Sequence, residues 1–117
     1  MPTQQAQPMQ QLNSPEDYEA LRGLPMAFVY KHSTRCPISS MAYQEVAALS
    51  GEHPDVPVFV IDVVAARGLA RYVADATGIT HHSPQVILLV RGQPAWSVTH
   101  FDVRADELSE RLSALVG

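Results

Sequence analysis

The sequence contains very little cysteine, since Cys36 is the only one among its 117 residues. A single thiol excludes an internal disulfide, a zinc site built from several cysteines and a two-thiol redox motif within one chain. The sequence also lacks a glycine-rich phosphate loop, paired catalytic carboxylates and a nucleophile elbow. Any sulfur chemistry at Cys36 therefore requires a thiol or disulfide from another molecule.

Charge and long apolar runs are also scarce. Charged residues make up 17% of the chain, and 12 acidic against 8 basic residues give a formal charge of −4. An acidic chain repels a phosphate backbone, so we expect no nucleic-acid partner. No apolar run approaches the roughly 20 residues of a membrane-spanning helix, and Met1–Gln11 has no signal-peptide pattern. We therefore expect a cytoplasmic protein without a membrane partner.

The chain has five histidines, but their spacing matches no helical or knuckle pattern of zinc ligands. His81 and His82 are adjacent, and adjacent side chains of an extended segment point to opposite faces. We therefore expect no metal site and no bound cofactor.

What the sequence does contain is the apolar content of one domain. Hydrophobic residues make up 46% of the chain, and its length suits a single core. Residues 1–13 hold five glutamines and little apolar surface, which predicts a flexible N-terminal tail. Ser14-Pro15-Glu16-Asp17 combines a capping residue, a proline and acids that are typical of the start of a short helix. We place the folded domain at residues 14–117.

From Pro25 onward the apolar pattern predicts alternating strands and helices. Runs of strand length occur at Met26–Tyr30, Val56–Ile61, Gln85–Val90 and Ala95–Thr99. Helical stripes lie within Ile38–Leu49, Leu69–Ala76 and Leu108–Val116. The resulting α/β order is β-α-β-α-β-β-α after the short first helix. This order allows only a few arrangements of the strands and helices. One is a four-stranded mixed sheet flanked by helices, the thioredoxin fold.

Cys36 falls where a loop meets the start of a helix at Pro37. Unpaired N–H groups and the positive end of the helix dipole favour an anionic sulfur there, and proline is favourable in a first turn. Lys31, His32 and Arg35 precede the sulfur, and basic neighbours lower thiol pKa values to roughly 3.5–7.5. The pattern predicts a nucleophilic thiolate with Lys31 and Arg35 as electrostatic support. The alternative is a buried, inert cysteine.

Two further features are expected beside the thiol. Ser39 stands one helical turn after Cys36, where a dithiol motif would place its second cysteine. Its hydroxyl can donate a hydrogen bond to a thiolate but cannot resolve a mixed disulfide, although it could also be merely a polar first-turn residue. In the thioredoxin fold the proline before the third strand is typically cis and faces the reactive cysteine. We therefore expect Ser83 and Pro84 to line the opposite wall of the site.

The sequence closely resembles the monothiol bacilliredoxins, small thioredoxin-fold proteins of the bacillithiol system. The resemblance covers about Ser14–Val116 and rests first on Lys31–Ser39, with its Thr-x-Cys-Pro-Ile-Ser core. It departs at His82 and Thr99, where an acidic residue and a serine are expected. The other matching segments are Ile61-Asp62-Val63 with Arg67, His81 with Ser83-Pro84-Gln85, and Trp96 with Thr99-His100 and Asp102.

The resemblance implies removal of bacillithiol from mixed disulfides on oxidised proteins, with Cys36 as nucleophile. Bacillithiol is then the co-substrate, S-bacillithiolated proteins are the partners, and Lys31, His32, Arg35, Pro37, Ser39, Ser83 and Pro84 surround the substrate. A basic patch beside the thiol also suits a small anionic thiol that bears carboxylates.

Other functions stay open at this stage. Two chains of a monothiol glutaredoxin-like protein can share an iron–sulfur cluster. A non-catalytic sensor or binding module would only have its cysteine capped under oxidation. Cysteine hydrolysis is least favoured, because nothing indicates an oxyanion site around Cys36 and His32.

Overall fold

A mixed five-stranded sheet with helices on both faces forms the protein. The structure is a computed structural model that describes residues 9–116. The sheet order is β1-β3-β2-β4-β5, with strands β1 (Met9–Gln11), β2 (Met26–His32), β3 (Val58–Asp62), β4 (Gln85–Val90) and β5 (Gln93–Thr99). The helices are α1 (Pro15–Leu21), α2 (Pro37–Glu52), α3 (Arg67–Thr77) and α4 (Ala105–Val116), with a 3-10 turn at His100–Asp102 before α4.

Strand β1 is a correction to the prediction of a four-stranded sheet and a tail over residues 1–13. Met9–Gln11 pairs in parallel with β3 at the sheet edge, and Leu12 is buried. The Leu12 N–H donates to the carbonyl of Val60 at 2.8 Å. Backbone pairing holds this polar segment in place, so it needs few apolar side chains. Residues 1–8 lie outside the described residues.

The two faces of β2 bury different cores. Phe28 and Tyr30 pack in a core formed with α2 and α4, whereas Ala27 and Val29 pack in a core formed with α1 and α3. Because side chains alternate along a strand, a strand covered on both faces has a continuous apolar run and no polar alternation. This explains the run that predicted the strand.

The predicted hairpin between β4 and β5 is present, with a tighter link than expected. Arg91 and Gly92 alone form the turn, both with positive φ (51° and 81°). Gly92 is required there, because a Cβ would lie 2.9 Å from the backbone oxygen of Arg22. Strand β5 therefore begins at Gln93 and tolerates Pro94 because it is an edge strand.

Three connections meet at one end of the sheet. Strands β2 and β3 are parallel, so α2 and α3 both begin beyond their carboxyl ends. Strand β4 runs antiparallel to β2, with Gln85 opposite Lys31, so the segment before β4 reaches the same end. Cys36, Arg67 and Ser83-Pro84 are thereby brought to one edge. In open α/β sheets this edge is where ligands bind.

Within residues 9–116, none of the helices has the length and the apolar content that a membrane span requires.

Candidate thiol site

Cys36 is the N-cap residue of α2. Its backbone is extended (φ −110°, ψ 120°), and Pro37 follows in the first turn. Proline is favourable at this position because the N–H that it lacks would have no partner within the helix. The Cys36 side chain is partly exposed. The alternative of a buried, inert cysteine therefore does not hold.

The helix start favours the ionised form of Cys36. The backbone N–H of Ser39 lowers the pKa of the thiol, burial raises it by less, and the N–H of Ile38 and the Ser39 hydroxyl lower it further, for a net lowering. These N–H groups lie in the first turn of α2, where the helix concentrates positive potential at the N-cap. The Ser39 N–H also donates to the backbone carbonyl of Cys36 at 3.0 Å. The first turn of α2 holds no acidic residue. More of the thiol is therefore thiolate at neutral pH than in a free cysteine.

Ser39 is fully buried beneath this turn. Its Oγ accepts a hydrogen bond from the Ser33 N–H at 3.3 Å, which joins the loop before Cys36 to the helix after it. The hydroxyl hydrogen also favours the Cys36 thiolate. Ser39 is thereby fixed between the loop before Cys36 and the first turn of α2, and a hydrogen bond from its hydroxyl to the sulfur stays a prediction.

Tyr30 is a site residue that the sequence pattern indicates only as the end of an apolar run. It is fully buried, and its hydroxyl donates to the backbone carbonyl of Ser39 at 3.0 Å. Burial first, and then Tyr43 and Cys36, raise the pKa of Tyr30, so the phenol stays neutral. The available signal was that a buried tyrosine hydroxyl needs a polar partner.

His32 lies next to the Tyr30 hydroxyl. Its Nδ1 lies 2.9 Å from the Tyr30 hydroxyl oxygen, and its ring lies against that of Tyr43 with centroids 5.2 Å apart. Because Tyr30 gives its only hydroxyl hydrogen to Ser39, Nδ1 of His32 is the donor in this arrangement. Burial lowers the pKa of His32, while Asp62 opposes the shift. His32 is therefore mainly neutral at pH 7.

Lys31 is buried in the structure, whereas the sequence predicted that it belongs to a basic cluster around the thiol. Strand β2 continues to His32, so alternation turns Lys31 to the face of Val29, where its side chain is fully buried. Its Nζ lies 3.2 Å from Nδ1 of His81, and burial lowers the pKa of Lys31 to about 8. Lys31 is not among the groups that shift the pKa of Cys36. Lys31 is therefore a buried residue that contacts His81, and its role as electrostatic support for Cys36 stays a prediction.

Arg35 and Ser83-Pro84 complete the predicted set. Arg35 is exposed beside Cys36, and its backbone N–H donates to the Ser33 hydroxyl at 3.3 Å. Like Lys31, it is not among the groups that shift the pKa of Cys36, so the helix start and Ser39 supply that effect. The Ser83-Pro84 bond is cis, and Pro84 is buried at the edge where α2 begins.

Known proteins share this architecture. A family model described as monothiol bacilliredoxin BrxC matches residues 10–108. A solved structure described as a candidate oxidoreductase with a thioredoxin fold is 31% identical, with a TM-score of 0.82 over 87% of this chain and 91% of that chain.

More distant structures are similar in fold alone. Mitochondrial thioredoxin 3 from Saccharomyces cerevisiae is 16% identical, with a TM-score of 0.74 over 91% of this chain and 94% of its own. Thioredoxin from Trypanosoma brucei brucei is 12% identical, with a TM-score of 0.77 over 91% of this chain and 88% of its own. The predicted thioredoxin fold is confirmed, with five strands in place of four.

Proposed function

Because the chain belongs to the monothiol bacilliredoxin family, which gives it a thiol redox role, we propose that it removes bacillithiol from mixed disulfides on oxidised proteins. Cys36 is the nucleophile in this proposal. The observation that carries it is a partly exposed thiol at the N-cap of α2 whose pKa is lowered by the helix start. A thiolate, and not a thiol, attacks disulfides.

The first step transfers bacillithiol to Cys36. The Cys36 thiolate attacks the bacillithiol sulfur of the mixed disulfide, and a bond forms between Cys36 Sγ and that sulfur. The bond to the client protein's sulfur breaks, and that sulfur leaves as a thiolate and takes a proton from water. One disulfide replaces another, so no external oxidant or reductant is consumed.

The second step requires another thiol molecule. Ser39 occupies the place of a resolving cysteine, and a hydroxyl cannot attack the new disulfide. A free thiol such as bacillithiol attacks the bacillithiol sulfur on Cys36, forms a small-molecule disulfide and releases the Cys36 thiolate. Such a cycle needs a reducing compartment, which agrees with a cytoplasmic location.

Turnover of an S-bacillithiolated client protein tests this proposal. The client is incubated with a sub-stoichiometric amount of the protein and excess free bacillithiol, and the client's intact mass is followed over time. We expect catalytic loss of the bacillithiol adduct, and no loss beyond background with Cys36→Ser. A single stoichiometric transfer without recycling would instead support a sensor and contradict the catalytic proposal.

A further inference from the structure

A groove along α3 has no part in the reaction steps proposed above. It has a volume of about 470 Å³ and is called the α3 groove here, defined by Val63, Arg67, Arg71, Asp75 and His81. The N–H of Val63 donates to the carbonyl of His32 at 2.9 Å, so the groove begins at the carboxyl ends of β2 and β3. Cys36 follows β2 at this same end of the sheet. The groove thus lies on the edge that carries the nucleophile.

The groove contains two positive charges that form no ion pair with any described residue. Arg67 and Arg71 are one turn apart on α3, so their guanidinium groups share one face. Within residues 9–116, neither forms an ion pair, whereas the arginines Arg22, Arg104 and Arg111 all do. Among the residues that the structure describes, Asp75 is the only acid in the groove lining, and its carboxylate pairs with neither arginine.

Behind the lining residue His81 lies the buried side chain of Lys31. The Lys31 side chain is fully buried, and its Nζ lies 3.2 Å from Nδ1 of His81 in the groove lining. Among the described residues it has no carboxylate partner, although buried charges are normally paired. Gln85, opposite Lys31 on β4, is also buried, and its Oε1 has no hydrogen-bond partner in the described part of the chain.

We infer that the α3 groove binds the carboxylate-bearing part of the small thiol whose sulfur reacts with Cys36. This inference rests on the proposed function, and it names residues that select the thiol. Two arginines against one aspartate in the lining favour an anion, and guanidinium groups bind carboxylates with directed hydrogen bonds. A volume of about 470 Å³ lies in the range of small-molecule sites.

Adduct formation on Cys36 with three small disulfides tests the inference. Bacillithiol disulfide and glutathione disulfide carry carboxylates, whereas bis(2-hydroxyethyl) disulfide is uncharged. In each case the thiolate attacks one sulfur, a Cys36 mixed disulfide forms and the other half leaves as a thiolate. The initial rate is measured by intact mass for the full-length protein and for Arg67→Gln and Arg71→Gln.

Arg91→Gln is the matched control. It removes the same charge from an arginine that forms no ion pair within residues 9–116. The Arg91 N–H donates to the carbonyl of Pro25, which precedes β2, so Arg91 lies at the opposite end of the sheet from Cys36. Any effect of net charge alone appears equally in this control.

We expect Arg67→Gln and Arg71→Gln each to slow the carboxylate-bearing disulfides by about five- to tenfold. The uncharged disulfide should react within about twofold of wild type, as should all three disulfides with Arg91→Gln. If the two variants slow all three disulfides equally, or slow none of them, the inference about the α3 groove is wrong. The proposed function would not be affected by this outcome. A strong arginine dependence with glutathione disulfide, combined with no reaction of wild type with bacillithiol disulfide, would support the groove and overturn bacillithiol as co-substrate.

Discussion

The hydroxyl of Tyr30 donates a 3.0 Å hydrogen bond to the backbone carbonyl of Ser39. This bond joins the central strand β2 to the first turn of α2, the same turn whose N–H groups favour the Cys36 thiolate. The strand therefore helps to hold the helix start that activates the nucleophile.

Removing this hydroxyl should destabilise the protein. Tyr30→Phe keeps the ring in the core but leaves Nδ1 of His32 without its partner and removes the bond to Ser39. We expect the free energy of unfolding to fall by about 1–2 kcal/mol, measured by urea denaturation. Tyr43→Phe is the control, because Tyr43 is exposed and no hydrogen bond of its hydroxyl is found among the described residues. Equal effects of the two variants would contradict a role for the buried bond.

The reactivity of Cys36 should depend on Ser39. The Ser39 hydroxyl favours the thiolate, so Ser39→Ala should raise the pKa of Cys36 toward that of a free thiol. The pH dependence of iodoacetamide alkylation measures this shift, with the rate following the thiolate fraction. Ser40→Ala, on the exposed side of the same turn, should leave the profile unchanged. A profile of Ser39→Ala that matches wild type would show that the hydroxyl does not act on the sulfur.

We expect Lys31 to make the free energy of unfolding depend on pH in the alkaline range. Burial lowers its pKa from 10.5 in the unfolded chain to about 8, so between these values the unfolded state binds more protons than the folded state. The buried charge of Lys31 therefore destabilises the fold fully below about pH 8, and this destabilisation shrinks as the pH rises from about 8 toward 10. Replacement by methionine removes the buried charge.

We expect Lys31→Met to be more stable than wild type at pH 7 by about 1–3 kcal/mol, and the difference to shrink at pH 9.5. Urea denaturation of both proteins at the two pH values measures it. The tyrosines also titrate in this pH range, but both proteins contain them, so their contribution cancels. The difference therefore reports on Lys31, the only lysine in the chain. A difference that is constant with pH would contradict the lowered pKa.

The sequence predicts the parts of this fold that depend on side chains. The apolar runs of β2, β3 and β4 and the stripes of α2, α3 and α4 follow from burial. Strand β1 could not be predicted in this way, because its place depends on backbone bonds to β3.

The site was predictable to a similar extent. Cys36 at a helix start follows from Pro37 and the preceding loop, but the direction of Lys31 depends on where β2 ends. The apolar run stops at Tyr30, whereas the strand continues to His32 because hydrogen bonds to β3 and β4 hold it. The nearness of Arg67 and Cys36 along the sheet edge results from the parallel pairing of β2 and β3, which no local pattern contains.

Replacing Ser39 with cysteine should convert the single-thiol site into a self-resolving one. Ser39 is buried one turn after Cys36, and its backbone N–H donates to the Cys36 carbonyl at 3.0 Å, so we expect a thiol at that position to lie within reach of Sγ. In Ser39→Cys the new thiolate would attack a mixed disulfide on Cys36, form an intramolecular disulfide and release the small thiol. Intact mass should show an oxidised monomer that has lost two hydrogen atoms, and no lasting adduct after exposure to glutathione disulfide. Ser40→Cys points away from Cys36 into solvent and should retain the adduct, so a lasting adduct in both variants would contradict the arrangement of Cys36 and Ser39 described above.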